Sequence, residues 1–222
     1  MQAKAAPKSA FKYYALHYLN LWVSQDQGPC EALASNDNEE QLRQIAKAAV
    51  AYRIARNLPR RYDKAKGLRR YGPVLKVLES LNRTDFRGER LLPSIKKVRD
   101  RLSAKYGGHG TLSLTTKFLW LKMQSPIIIY DARVRKALGT PAGDLDAYYS
   151  RWREEFIQYE QQIRDACASL ERVYEFTKNP DVTTRRYIRE LTARRWFRER
   201  VFDVYLWHRA ANDVSQSRLR KH

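Results

Sequence analysis

Two side chains in the segment TTKFLWLKMQSPIIIYDARVRKAL, residues 115–138, are of types and at a spacing that can do chemistry. Around Lys117, the residues Leu112, Leu114, Phe118, Leu119, Trp120, Leu121 and Met123 cover nearly the whole circumference of a helix. The amine must therefore reach out to water or sit in a half-buried cleft. In the first case it is a snorkelling side chain whose stem packs on apolar neighbours. In the second, partial desolvation and nearby cationic charge favour the neutral, nucleophilic amine. Asp131 follows an apolar link and precedes ARVRKAL, a short helix, where an aspartate can serve as the N-cap. The same carboxylate could also face Lys117 across a cleft, offset positive charge developing on a reacting carbon and help move the lysine's proton. The two roles are compatible. Lys122 points to a different helix face and is the fallback nucleophile or a phosphate contact.

The elements that must position this pair are helical. Gly107, Gly108, His109 and Gly110 form a turn between a basic helix at 93–105 and the apolar helix at about 112–123. A helix, a glycine turn and a second helix can offer backbone N–H groups to a phosphate, although glycine at a helix end also serves simply as a C-cap. Upstream, residues 10–22 carry Tyr14, Leu16, Leu19 and Trp22 on an apolar side. Residues 38–56 place Leu42, Ile45, Ala46, Ala49, Val50 and Ile54 at helical spacing, with Asp37 and Glu40 as a capping pair. The basic stretch NLPRRYDKAKGLRRYGP, 57–73, lacks periodicity and reads as a surface connection that can touch phosphates. A short helix is expected at about 73–82.

Two long helices are expected beyond the site. Residues 144–178 repeat Leu145, Tyr149, Trp152, Phe156, Tyr159, Ile163, Leu170 and Val173, a core-facing stripe. Residues 181–211 repeat Ile188, Leu191, Phe197, Val201, Val204, Tyr205 and His208 after a Pro180–Asp181 start. PIIIY, 126–130, has the composition of a strand but is short enough to be a buried link between helices. The expected architecture is all-α: a single helical domain over 1–222, two lobes forming one compact unit.

Composition narrows the partners. The 222 residues include 43% hydrophobic side chains, enough for a real core, and 43 Lys and Arg against 24 Asp and Glu give a net charge of +19. Such a surplus favours a polyanion through counterion release, with nucleic acid the leading candidate. No uninterrupted apolar span is long enough to cross a bilayer, and Lys12, His17 and Asn20 interrupt the N-terminal apolar stretch, so neither a membrane partner nor a signal peptide is expected. Cys30 and Cys167 are two widely separated thiols without a CxxC, and the four histidines show no ligand spacing, which points to a reducing, cytoplasmic compartment and no metal or other cofactor.

Helix, GGHG-like turn, TTKFLW, an apolar link ending in Pro126, and YDARVRKAL together resemble the core of the helix-hairpin-helix DNA glycosylases, in particular the 8-oxoguanine glycosylase-like branch. The matching positions are Thr116-Lys117, Pro126 and Tyr130-Asp131, and FDVYLW at 202–207 is similar to an Asp-x-x-Leu-Trp ending of smaller bacterial relatives. The similarity covers about a fifth of the chain. Two spacings depart from the family pattern: TLSLTT separates Gly110 from Lys117, and the interval from Lys117 to Asp131 is shorter. The resemblance implies a glycosylase, with lyase activity, that excises a damaged or modified base from DNA in base-excision repair or in defence against foreign DNA. It implies Lys117 as nucleophile and Asp131 as its carboxylate partner. Gly108, His109, Gly110, Lys122, Arg133 and Arg135 become candidate DNA contacts, with a solvated helix face the other reading of the two arginines. Trp120, Tyr130, Phe202 and Trp207 are candidates for a base pocket as well as for the core. Without the resemblance, the charge fits a non-catalytic basic helical protein that binds nucleic acid, and the stripe at 144–178 fits a helical adaptor.

Overall fold

The computed structural model describes residues 10–55, 67–106, 108, 110–178 and 183–219. His109, most of the basic link at 57–73, the Pro180–Asp181 helix start and His222 lie outside the described residues. Every regular element among the described residues is helical: α1 (Ala10–Leu21), α2 (Gln27–Ala34), α3 (Asn38–Ala51), α4 (Gly72–Glu79), α5 (Leu91–Lys105), α6 (Leu112–Met123), α7 (Ala132–Leu138), α8 (Leu145–Ala168), α9 (Arg185–Thr192) and α10 (Arg195–Leu219). The stretch 127–130, apolar enough for a strand, is a buried irregular link. The chain forms two compact units, one of residues 24–131 and one that joins residues 1–23 to 132–222.

In the unit of residues 24–131, α6 packs against α2, α4 and α5, which explains why a helix with apolar residues on all sides is stable there. Asp37 caps α3 by accepting from the N–H groups of Glu39 and Glu40, each at 3.0 Å. The buried face of α3 is Gln41, Ile45, Ala48 and Ala49, whereas Val50, expected on that face, is exposed. The connection at 57–73 ends in a 3-10 turn, Gly67–Tyr71, which buries Tyr71.

The other unit places α10 against α1, α7 and α8. Both expected long helices are shorter than their sequence stripes. The first leaves α geometry at Ala168 and continues as 3-10 turns over Ser169–Phe176, with Val173 at a non-helical φ of −120° and ψ of 27°. Leu170 is buried, but Arg172, Glu175 and Phe176 are exposed, so little packing remains to hold an α-helix together. The second divides at Ala193–Arg194 into α9 and α10. At about 100° per residue, the step from Leu191 to Phe197 in an unbroken helix would turn about 240° and carry Phe197 away from the stripe. The break resets the phase, and Ile188, Leu191, Phe197 and Val201 are all buried.

A polar network lies inside this aromatic core. The Trp152 indole donates to Asp203 Oδ1 at 2.7 Å, and the Arg200 guanidinium donates to Asp203 Oδ2 at 2.8 Å. Arg200 also lies over the Tyr18 ring, 5.3 Å from its centroid. Burial raises the Asp203 carboxyl from 3.8 to about 6 in spite of Arg200 and Trp152, which pull it down. A carboxyl raised on folding stabilises the fold below its unfolded value and loses that contribution as pH rises through the folded value. Asp203→Asn, neutral at every pH, is therefore expected to cost most stability near pH 4 and progressively less towards pH 7, as read by denaturant unfolding at unit pH steps.

Candidate active site around Lys117

The turn after α6 determines where Asp131 lies. Gln124 closes the helix with its N–H on Trp120 O at 2.6 Å and takes φ 53°, ψ −125°, a conformation that costs a non-glycine residue of order 1–3 kcal/mol. Arg83 braces the turn by donating to Met123 O at 3.1 Å and Ser125 O at 3.3 Å, and the Ser125–Pro126 peptide is cis. The chain then runs back along α6. Its return is fastened at the fully buried Thr116, whose Oγ1 accepts the Tyr130 N–H at 3.0 Å and donates to Leu112 O at 3.1 Å. The residue after Tyr130 is Asp131, and its Oδ2 lies 3.3 Å from Lys117 Nζ.

Lys117 is buried, with 4% of its surface exposed, so its amine does not snorkel into water. It donates to Ser113 Oγ at 2.6 Å, one helical turn back, as well as to Asp131. Nζ also lies over the Tyr52 ring, 5.9 Å from the centroid, and the Tyr52 hydroxyl donates to the buried Asp26 at 2.7 Å. Hydroxyl, carboxylate and ring face are the partners a buried ammonium requires. The pair is asymmetric: the Lys117 side chain is 5% exposed and that of Asp131 28%, so the carboxylate is the more accessible member. Its 3.3 Å separation is longer than a tight charge-assisted bond of about 2.7–2.9 Å.

Ser113, Tyr52 and Asp26 join the site without having been singled out in the sequence. Ser113 was within reach, because i and i−4 share a helix face. Tyr52 and Asp26 come from the end of α3 and from the π-helical turn Trp22–Asp26, and no spacing in the sequence connects them to Lys117.

The other candidate residues have varied settings. Gly108 has φ +79° and its N–H donates to Ser103 O at 2.8 Å, the bond of a glycine C-cap closing α5. Gly110 is exposed before α6. The Lys122 ammonium donates to Leu33 O at the C-terminal end of α2, where a cation offsets the helix dipole. Arg133 lies over the Trp207 ring at 4.3 Å, and Arg135 donates to Thr140 O, closing the turn after α7. Of the base-pocket candidates, Trp120, Tyr130 and Phe202 are buried, whereas Trp207 is 39% exposed. Both cysteines are free and buried, and burial pushes the Cys167 thiol up to about 12. Among the described residues no group of three His, Cys, Asp or Glu side chains could hold a metal, and no helix is long and apolar enough to cross a membrane.

No protein-family model matches the chain, and no curated protein or solved structure matches it either. The geometry therefore stands on its own. Thr116→Val removes the acceptor for a buried N–H and is expected to lower unfolding free energy by about 1–3 kcal/mol, whereas Thr116→Ser costs less. Guanidinium unfolding of the two variants checks this.

Proposed function

We propose that the chain is a DNA glycosylase with AP-lyase activity, acting on a damaged or modified base such as 8-oxoguanine, in base-excision repair or in defence against foreign DNA. The observation that carries the reading is the buried Lys117 amine 3.3 Å from the more accessible Asp131 carboxylate. The net charge of +19 supports a polyanionic substrate. In the proposed reaction Asp131 accepts a proton from the lysine, and Nζ attacks the sugar carbon that bears the base. The carbon–nitrogen bond to the base breaks, the departing base takes its electron pair and the proton held by Asp131, and the regenerated carboxylate offsets positive charge on the sugar. The carbon–oxygen bond of the sugar ring then breaks, the ring oxygen takes its electron pair and one of the two protons on the attacking nitrogen, and an iminium forms between Lys117 and that carbon. Loss of a proton from the adjacent carbon then expels the 3′ phosphate and cleaves the strand. The target nucleotide has to be rotated out of the stack for Nζ to reach it.

Borohydride trapping tests the proposal. Labelled duplexes carrying abasic or 8-oxoguanine sites are expected to give a covalent adduct with the wild type and none with Lys117→Ala. Asp131→Asn is expected to slow base release by about 10²- to 10⁴-fold with little loss of DNA affinity. Salt-sensitive DNA binding without an adduct on any duplex would instead point to a non-catalytic basic helical protein that binds nucleic acid, or to a glycosylase that uses only Asp131 and water.

A further inference from the structure

A cavity of about 660 Å³ opens between the start of α4 and the last turns of α5, and its walls carry Arg69, Lys76, Arg101 and Lys105. Among the described residues no carboxylate lines it, and the other described lining residues are glycine, proline or aliphatic. Arg101 is held at the rim by a 2.9 Å bond to Ser80 Oγ, so part of its ordering is complete before any ligand arrives. Gly72, the first residue of α4, has nothing within 4 Å of where a Cβ would project, which leaves its backbone open to approach. The first turn of α4 contains no acidic side chain and Tyr71 gives it no side-chain cap, so its positive end is not offset there.

We infer that this cavity binds the sugar-phosphate backbone of a nucleic acid, at a place separate from Lys117 and Asp131. Four cations from two helices and the turn before α4 suit several phosphates better than one carboxylate, since arginine forks grip phosphate oxygens and lysines add point charges. Among the described residues the lining offers neither an aromatic face for stacking nor a side-chain amide for base edges, so the contact is with backbone and independent of sequence. Lys105, the last residue of α5, lies two residues before the glycine turn expected to contact phosphate. Because the Gly108 N–H is used in closing α5, the cations before the turn take over that role. The inference rests on the proposed function only for the identity of the polymer.

Fluorescence anisotropy with a labelled duplex over a salt series tests it. Loss of four phosphate contacts is expected to flatten the slope of log affinity against log salt by about 3.6 in the variant Arg69→Ala, Lys76→Ala, Arg101→Ala, Lys105→Ala. A control with four exposed cations removed elsewhere in the same unit, Lys47→Ala, Arg87→Ala, Arg90→Ala, Lys97→Ala, should leave the slope nearly unchanged. All eight side chains are exposed, and circular dichroism checks that both variants are folded. Equal slopes for the two variants, or a polyglutamate probe that loses as much affinity as the duplex, would overturn the inference. Borohydride trapping at saturating protein separates it from the proposed function: an adduct retained by a cavity variant with a wild-type slope refutes the cavity alone, and a flattened slope with no wild-type adduct refutes the glycosylase-lyase alone.

Discussion

A charged amine inside an apolar helix is the constraint on which much of the 24–131 unit depends. Lys117 sits where α6 is enclosed by α2, α4 and α5, and an unpaired ammonium there would cost several kcal/mol. Its partners come from three directions: Ser113 from the same helix, Asp131 from the returning link and the Tyr52 ring from the end of α3. Each in turn requires support. Tyr52 is held by Asp26, and Asp131 is delivered by a link that begins in a conformation unfavourable for Gln124 and ends on the Thr116 hydroxyl.

Adjacent residues of α6 divide the work. Thr116 secures backbone and Lys117 meets the side chain that this backbone carries. The precision of the pair thus depends on a hydrogen bond inside the core, which has little freedom to shift because close-packed interiors resist small displacements. The unit containing α8 and α10 solves a comparable problem differently. One of its buried carboxyls, Asp203, is satisfied by an indole and a guanidinium among aromatic rings, with no irregular link involved.

Charge is distributed with similar economy. Several carboxylates are occupied by arginines one turn away on the same helix, as in Arg43 with Glu39, Arg186 with Glu190 and Arg195 with Glu199. Exposed pairs of this kind add little stability, but they absorb acidic groups locally. Among the described residues, the cations around the cavity at α4 and α5 face no such carboxylate in its lining, so positive charge is expressed there as a local field.

The helical class, the extent of α6, the cap at Asp37 and the buried character of the 126–130 link were all legible in the sequence, because periodicity and capping are local. The Lys117–Asp131 pair was legible as two residue types on either side of an apolar turn. Its closeness was not, since it depends on the torsions of Gln124 and on a bond from Tyr130 to Thr116. The breaks at Ala168 and Ala193–Arg194 were also hidden: a continuous stripe does not reveal where packing ends or where the helical phase must be reset. Tyr52 and Asp26 reach the site only through tertiary packing. Sequence by itself determined which groups could be buried and which helices would bury them; only the tertiary structure decided which buried groups meet, because a contact between distant segments depends on the path of the chain between them.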